Sequence, residues 1–237
     1  MDRSLVSDLP EVHYLPHGAT QIMWRRSSTA RQVSLRIDPR LGGVVITLPM
    51  RAAKSSGLAL LRDNALWVAE RLRALPTVVD LADGASVMVG GMPHRVCHVP
   101  GARGGAWLRD GVIEVAGEPE FLARRVSDLL RAEAKRQFSA MIWQKAAKIA
   151  RKPSRVAVKD TRSRWGSCTA DGVVMVNWRL IMAPEFVQDY VVAHEVAHLR
   201  HLDHSARFWS LVAELTPHCD RAQAWLKQHG AGLLRVR

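Results

Sequence analysis

Apolar and polar residues alternate along the first fifty positions, and then the period changes. The segments TQIMWRR (20–26), RQVSLRID (31–38) and GVVITLP (43–49) set apolar side chains at every second position or in short β-branched runs, which predicts strands. DPRLGG (38–43) joins the last two with the Pro and Gly of a tight hairpin connection. From 55 to 75 the spacing becomes helical, with Leu58, Leu61, Ala65, Val68 and Leu72 on one stripe and Pro76 as its stop. Two further hairpins follow: ASVMVGGMPHRVCHV (85–99), turning at Gly90–Gly91, and AWLRDGVIEV (106–115), turning at Asp110–Gly111.

The helical period returns over 119–150, opening near Pro119 with Leu122, Val126, Leu129, Leu130, Phe138, Ile142 and Ile149 inward. A strand, SRVAVKD (154–160), precedes a hairpin from RWGSC (164–168) to VVMVNWRLI (173–181) that turns at Asp171–Gly172. Pro184 opens another helix, a second covers about 205–215 and ends at Pro217, and a last one runs to Gly230. The pattern is α+β. A composition break near 117 divides a small N-terminal α/β-hairpin part (1–117) from a C-terminal part (118–237) of long helix, short antiparallel or mixed sheet and helices. With no flexible linker between them, the two are expected to pack together.

Composition narrows the setting more than the fold. The longest apolar runs fall short of the roughly 20 residues a membrane span needs, and the N-terminal residues carry acids and a proline where an export signal has an apolar core. Three cysteines, Cys97, Cys168 and Cys219, are too few and too scattered for a disulfide framework or a thiolate zinc site, which fits a cytoplasmic protein. The net charge of +12 is uneven, since 118–165 holds thirteen Lys/Arg against five Asp/Glu. That surplus fits contact with a nucleic acid or nucleotide, or else a solvated helix face.

Candidate chemistry is concentrated in VVAHEVAHLRHLDHS (191–205), which holds four of the ten histidines. On a helix His194 and His198 lie about 40° apart in azimuth and ~6 Å apart along the axis, so both imidazoles reach one ion. With Glu195 they form H-E-x-x-H, the pattern of two metal ligands and a general base. Neutral imidazoles leave a divalent cation positive enough to acidify water, and the carboxylate can move that water's proton to a leaving amine. A third ligand must come from His201, His204 or Glu214. His201 lies about 300° beyond His198 on a continued helix, and Glu214 lies on the polar stripe of its own helix with Arg207 and Ser210. His204 reaches the ion only where the helix ends near 200. Asp203 and Ser205, both N-cap residues ahead of Phe208, Trp209, Leu211 and Val212, require such a break. His218 and Asp220 are candidates for supporting contacts, and Cys168 for approach to the metal.

These residues resemble the YgjP-like metallopeptidase family, metal-dependent hydrolases related to SprT-like and WLM-type zincins. The likeness is carried by RSRWGSC (162–168), VNWRLIMAP (176–184), DYVVAHEVAHL (189–199), DHSARFW (203–209) and RAQAWL (221–226), with fainter likeness in the N-terminal part. It implies a zincin-like catalytic domain in which one zinc is bound by His194, His198 and the histidine of Asp203-His204-Ser205. It also implies an edge strand beside the cleft, with Trp165, Gly166, Ser167 and Asn177 lining it and an extended peptide paired along it. The metzincin spacing is matched too, but His201 stands where that class has Gly, and no methionine follows Met182.

Three functions remain on the table. The first is a zinc metallopeptidase with Glu195 as base, acting on a peptide or protein. The second is a metal-dependent nucleotide or phosphoanhydride hydrolase on the same site. The third is a nucleic-acid module with structural zinc, in which Glu195 would have no role.

Overall fold

Strand alternation and helical stripes resolve, in the computed structural model of residues 5–6, 9–16 and 18–237, into two units, 1–77 and 78–237. Much of the N-terminal stretch judged for an export signal lies outside the described residues. In the first unit β1 (Leu5–Val6) and β2 (Glu11–Leu15) both run antiparallel to the long β3 (Gly18–Ser27). β4 (Ser34–Asp38) forms the expected hairpin with β5 (Gly43–Pro49), and β5 pairs parallel with β3. Ile22, Trp24, Val44, Ile46 and Leu48 of this sheet close a core with Leu61 and Val68. Those two come from α1 (Lys54–Asp63) and α2 (Ala65–Arg73), which the sequence pattern reads as one helix. The helix breaks at Asn64, whose side chain donates to the Leu60 carbonyl at 2.8 Å and competes with the backbone for that acceptor.

The second unit begins with β6 (Ser86–Val89), β7 (Met92–Val99), β8 (Ala106–Arg109) and β9 (Val112–Ala116). The hairpins turn where expected: Gly90, Gly91, Asp110 and Gly111 all take the positive φ of type I′ turns. β7 and β9 then join the two hairpins in parallel register. Val87, Val96, Ile113 and Val115 of this sheet share one core with Val126, Leu130 and Phe138. The division of the chain therefore falls at 77/78 and not at the composition break near 117.

After a 3₁₀ turn at Pro119–Phe121, α3 (Leu122–Lys148) presents Val126, Leu130, Ala134, Phe138 and Ile142 inward at helical spacing. Each large apolar side chain so buried stabilises the fold by about 1.5–3 kcal/mol. β10 (Arg155–Lys159), β11 (Gly166–Cys168) and β12 (Val173–Asn177) form a mixed sheet in the order β10–β12–β11, parallel in the first pair and antiparallel in the second. The expected strand stops at Asn177, whose side chain accepts from the Arg179 amide at 3.1 Å and caps a buried 3₁₀ turn, Trp178–Met182. α4 (Glu185–Ala197), α5 (Ala206–Leu215) and α6 (Cys219–Leu233) complete the unit. Its end is fastened by a bridge between Val79 and Val236 and by Arg179, which donates to the Leu233 and Val236 carbonyls. No helix among the described residues is long and apolar enough to cross a membrane.

Candidate metal centre

The chain bends where the third histidine needs it to. α4 ends at Ala197, and the Leu199, Arg200 and His201 amides close its last turn on the Val196 and Ala197 carbonyls. Arg200 reaches away to the Ile149 carbonyl at 2.6 Å, and Asp203 accepts from the Ser205 amide at 3.2 Å, which fixes a turn just before α5. His204 is thereby folded back over the end of α4. Its Nε2 lies 3.3 Å from Nε2 of His194, and the ligand atoms of His194, His198 and His204 all lie within 4.8 Å of one another.

This cluster fits a metal ion by its donors. Two tetrahedral zinc–nitrogen bonds of about 2.0–2.1 Å place their nitrogens roughly 3.3 Å apart, the spacing between His194 and His204. His198 donates from Nδ1 to the His201 carbonyl at 2.9 Å, which leaves its Nε2 as the free donor atom. Phe208 is fully buried and lies against all three imidazoles, with ring centroids 4.4–4.9 Å away. It stacks on His198 and meets the other two edge-on, so the rings cannot swing apart without opening a cavity. Burial, and then the proximity of His198 and His204, pushes the His194 imidazole down to about 4. Burial lowers His198 as well, against the opposing pull of its bond to His201. The two are therefore neutral, and able to bind a metal, at physiological pH.

Glu195 lies against β11. It is 6% exposed, and burial pushes its carboxyl up to about 8, with Arg164 pulling in the opposite direction. A Cβ at Gly166 would stand 2.5 Å from Glu195 Oε1 and 2.6 Å from its Cδ, so only glycine lets the strand pass this close. Beside the carboxylate opens a cavity of about 280 Å³, bounded by His194, Glu195, Trp165, Tyr190, Val191 and Leu226. The Tyr190 ring sits 6.0 Å from that of His194, and its hydroxyl bonds to Gln223, which also lines the cavity.

The model of one protein family, described as YgjP-like, metallopeptidase domain, matches residues 31–229. This chain belongs to the YgjP-like family. The match covers most of both units and supports a metal-dependent hydrolase. No curated protein and no solved structure matches the chain.

In this YgjP-like chain the structure brings together His194, Glu195, His198, His204, Trp165 and Gly166, and leaves other candidates aside. Ser167 faces the opposite side of β11, in a groove with Arg155, Lys159 and Arg164. Asn177, expected at the cleft, is fully buried; it donates to the Thr161 carbonyl at 2.8 Å and holds the loop that carries Arg164. His201 contributes its carbonyl and not its ring, and Glu214 is exposed outside the cluster. His218 packs edge-on against Phe186 at 6.1 Å. Cys168 donates to the Thr169 carbonyl at 3.6 Å, its thiol pushed up to about 11 chiefly by burial. Sequence reasoning assigned no site role to Phe208, Tyr190, Gln223 or Leu226. Tyr190 stands one helical turn before His194, a spacing that marks it as a neighbour. Gln223 and Leu226 carry no comparable signal.

Proposed function

We propose that this YgjP-like chain is a zinc-dependent metallopeptidase in which His194, His198 and His204 hold the ion and Glu195 is the general base. The observation that carries this is the return of His204 to within 3.3 Å of His194, with a buried carboxylate on the adjacent residue. Three imidazoles form the protein donor set of catalytic zinc centres, in which the fourth position is left to water or substrate. When bound, zinc supplies Lewis acidity, which acidifies water and polarises the scissile carbonyl. Burial raises the Glu195 carboxyl to about 8 in the metal-free protein, and the positive charge of a bound cation would return it toward the carboxylate; in that form it takes the proton of the attacking water and hands it to the departing amine nitrogen.

The edge strand supplies a place for an extended peptide. The Asn177 amide donates to the Trp165 carbonyl and the Thr169 amide to the Val173 carbonyl. In an antiparallel ladder this turns the main-chain groups of Gly166 and Cys168 away from β12, to the free edge of the sheet. A substrate strand pairing there brings its carbonyl alongside Glu195.

The cavity lining also favours a peptide over a nucleotide. It contains no Lys or Arg, whereas Arg155, Lys159 and Arg164 open onto the outer groove. A triphosphate in the cavity would meet no Lys or Arg in its lining, with Arg164 acting only from beyond the Glu195 carboxyl. Three cysteines that remain thiols agree with work in the reducing cytoplasm. The test is to incubate the zinc-loaded protein in parallel with a denatured protein and with nucleoside triphosphates. Peptide cleavage that a chelator abolishes is expected; phosphate release without cleavage would contradict the reading.

A further inference from the structure

From the cavity beside Glu195 we infer a specificity pocket for one apolar substrate side chain, of leucine to phenylalanine size, flanking the scissile bond. The inference rests on the peptidase reading. At about 280 Å³ the space falls below the roughly 300–1,000 Å³ of pockets that take a whole small ligand, and so suits a single side chain. Trp165, Val191 and Leu226 give it apolar walls. Tyr190 and Gln223, the uncharged polar residues of the lining, bond to each other. Among the described residues of the lining the one carboxylate is Glu195, which the reaction uses. A charged side chain would therefore enter at the cost of its own hydration, and the lining holds no Lys or Arg and, besides Glu195, no carboxylate to pair with it.

The width of the pocket is set from behind. Trp165 forms one wall, and its indole rests on α6 at Gly230, where a Cβ would lie 3.1 Å from Trp165 Cζ2. An alanine at 230 pushes the indole toward the cavity, and an alanine at 226 removes the wall contributed by Leu226. The two changes move selectivity in opposite directions.

The test titrates the zinc-loaded protein with N-acetyl amino-acid hydroxamates carrying Gly, Ala, Leu, Phe, Asp and Lys side chains, and reads binding by calorimetry. Leu and Phe compounds are expected to bind at least about tenfold tighter than Gly and Asp. Leu226→Ala should raise the Phe-to-Ala affinity ratio and Gly230→Ala should lower it, each by about threefold or more. Should Gly230→Ala fail to fold, Leu226→Ala decides alone. A flat series, tightest binding by the charged compounds, or no binding by any compound overturns the pocket. Failure of the peptidase reading is distinguishable, because the hydroxamates would then discriminate as expected while no peptide is cleaved.

Discussion

The two faces of one short strand, β11, have opposite chemistry. On the inner face Gly166 meets Glu195, next to an apolar cavity and the three clustered imidazoles. On the outer face Ser167 sits in an open groove among Arg155, Lys159 and Arg164, with Ala157, Val173 and Met175 as its floor. Alternation along a strand separates them: cross-strand partners Gly166–Val176 and Ser167–Met175 face opposite sides of the sheet. The difference teaches that basic charge near a metal centre does not by itself make the centre a phosphate site. Arg155 and Lys159 belong to the groove open to water, and Glu195 to the buried side of the strand.

Substitutions on either face test this contrast, and the largest effect is expected at Glu195. Glu195→Gln should retain the metal and lose about 10²–10⁴-fold in peptide hydrolysis, while Ser167→Ala stays near wild type; turnover numbers at fixed metal content check both. Gly166→Ala comes next. Its Cβ would collide with the carboxylate, which costs about 1–3 kcal/mol of stability and displaces the base. Thermal unfolding and activity of this variant equal to wild type would show that the close approach is not needed.

A third contrast is in pH. In the metal-free protein Glu195 titrates at about 8 in the fold against 4.5 unfolded, so the native state holds the extra proton between those values and stability falls as pH rises through that window. His194 titrates at about 4 against 6.5, so its contribution rises with pH between those values and is complete above 6.5. The two oppose each other in mild acid and leave a net fall from pH 6.5 to 8. Urea unfolding of chelator-treated protein should show that fall in wild type and not in Glu195→Gln. Equal wild-type stability at the two pH values would remove the basis for a dry, strained base. The smallest effect belongs to the outer face. Replacing Arg155 and Lys159 with alanine should weaken polyanion binding and flatten its salt dependence by no more than about two charges. Hydrolysis of a neutral peptide should not change.

Much of this was legible in the sequence because it is local. His194, Glu195 and His198 are set by helical spacing alone, and the break that recruits His204 is set by Asp203 and Ser205 within a few residues of it. The Gly90–Gly91 and Asp110–Gly111 turns announce themselves through the backbone conformations those residues permit. What escaped depends on partners far apart in the chain. Asn177 looks like a cleft residue by its place before the helix that carries His194 and His198, yet its side chain bonds Thr161 and caps a 3₁₀ turn. The boundary near 117 followed charge and composition, whereas the core that unites β6–β9 with α3 is built by long-range packing. Gly166 was placed at the site, but the reason for a glycine there appears only with Glu195 against it.

Zinc titration of the metal-free protein, wild type beside His204→Ala, bears most directly on whether a helix, a bend and a returning histidine make one metal centre. One zinc per wild-type chain is expected, with affinity reduced in His204→Ala by more than the roughly 10–100-fold that loss of a supporting outer contact produces. An unchanged affinity in His204→Ala, with the loss appearing in His201→Ala or Glu214→Ala instead, would contradict it.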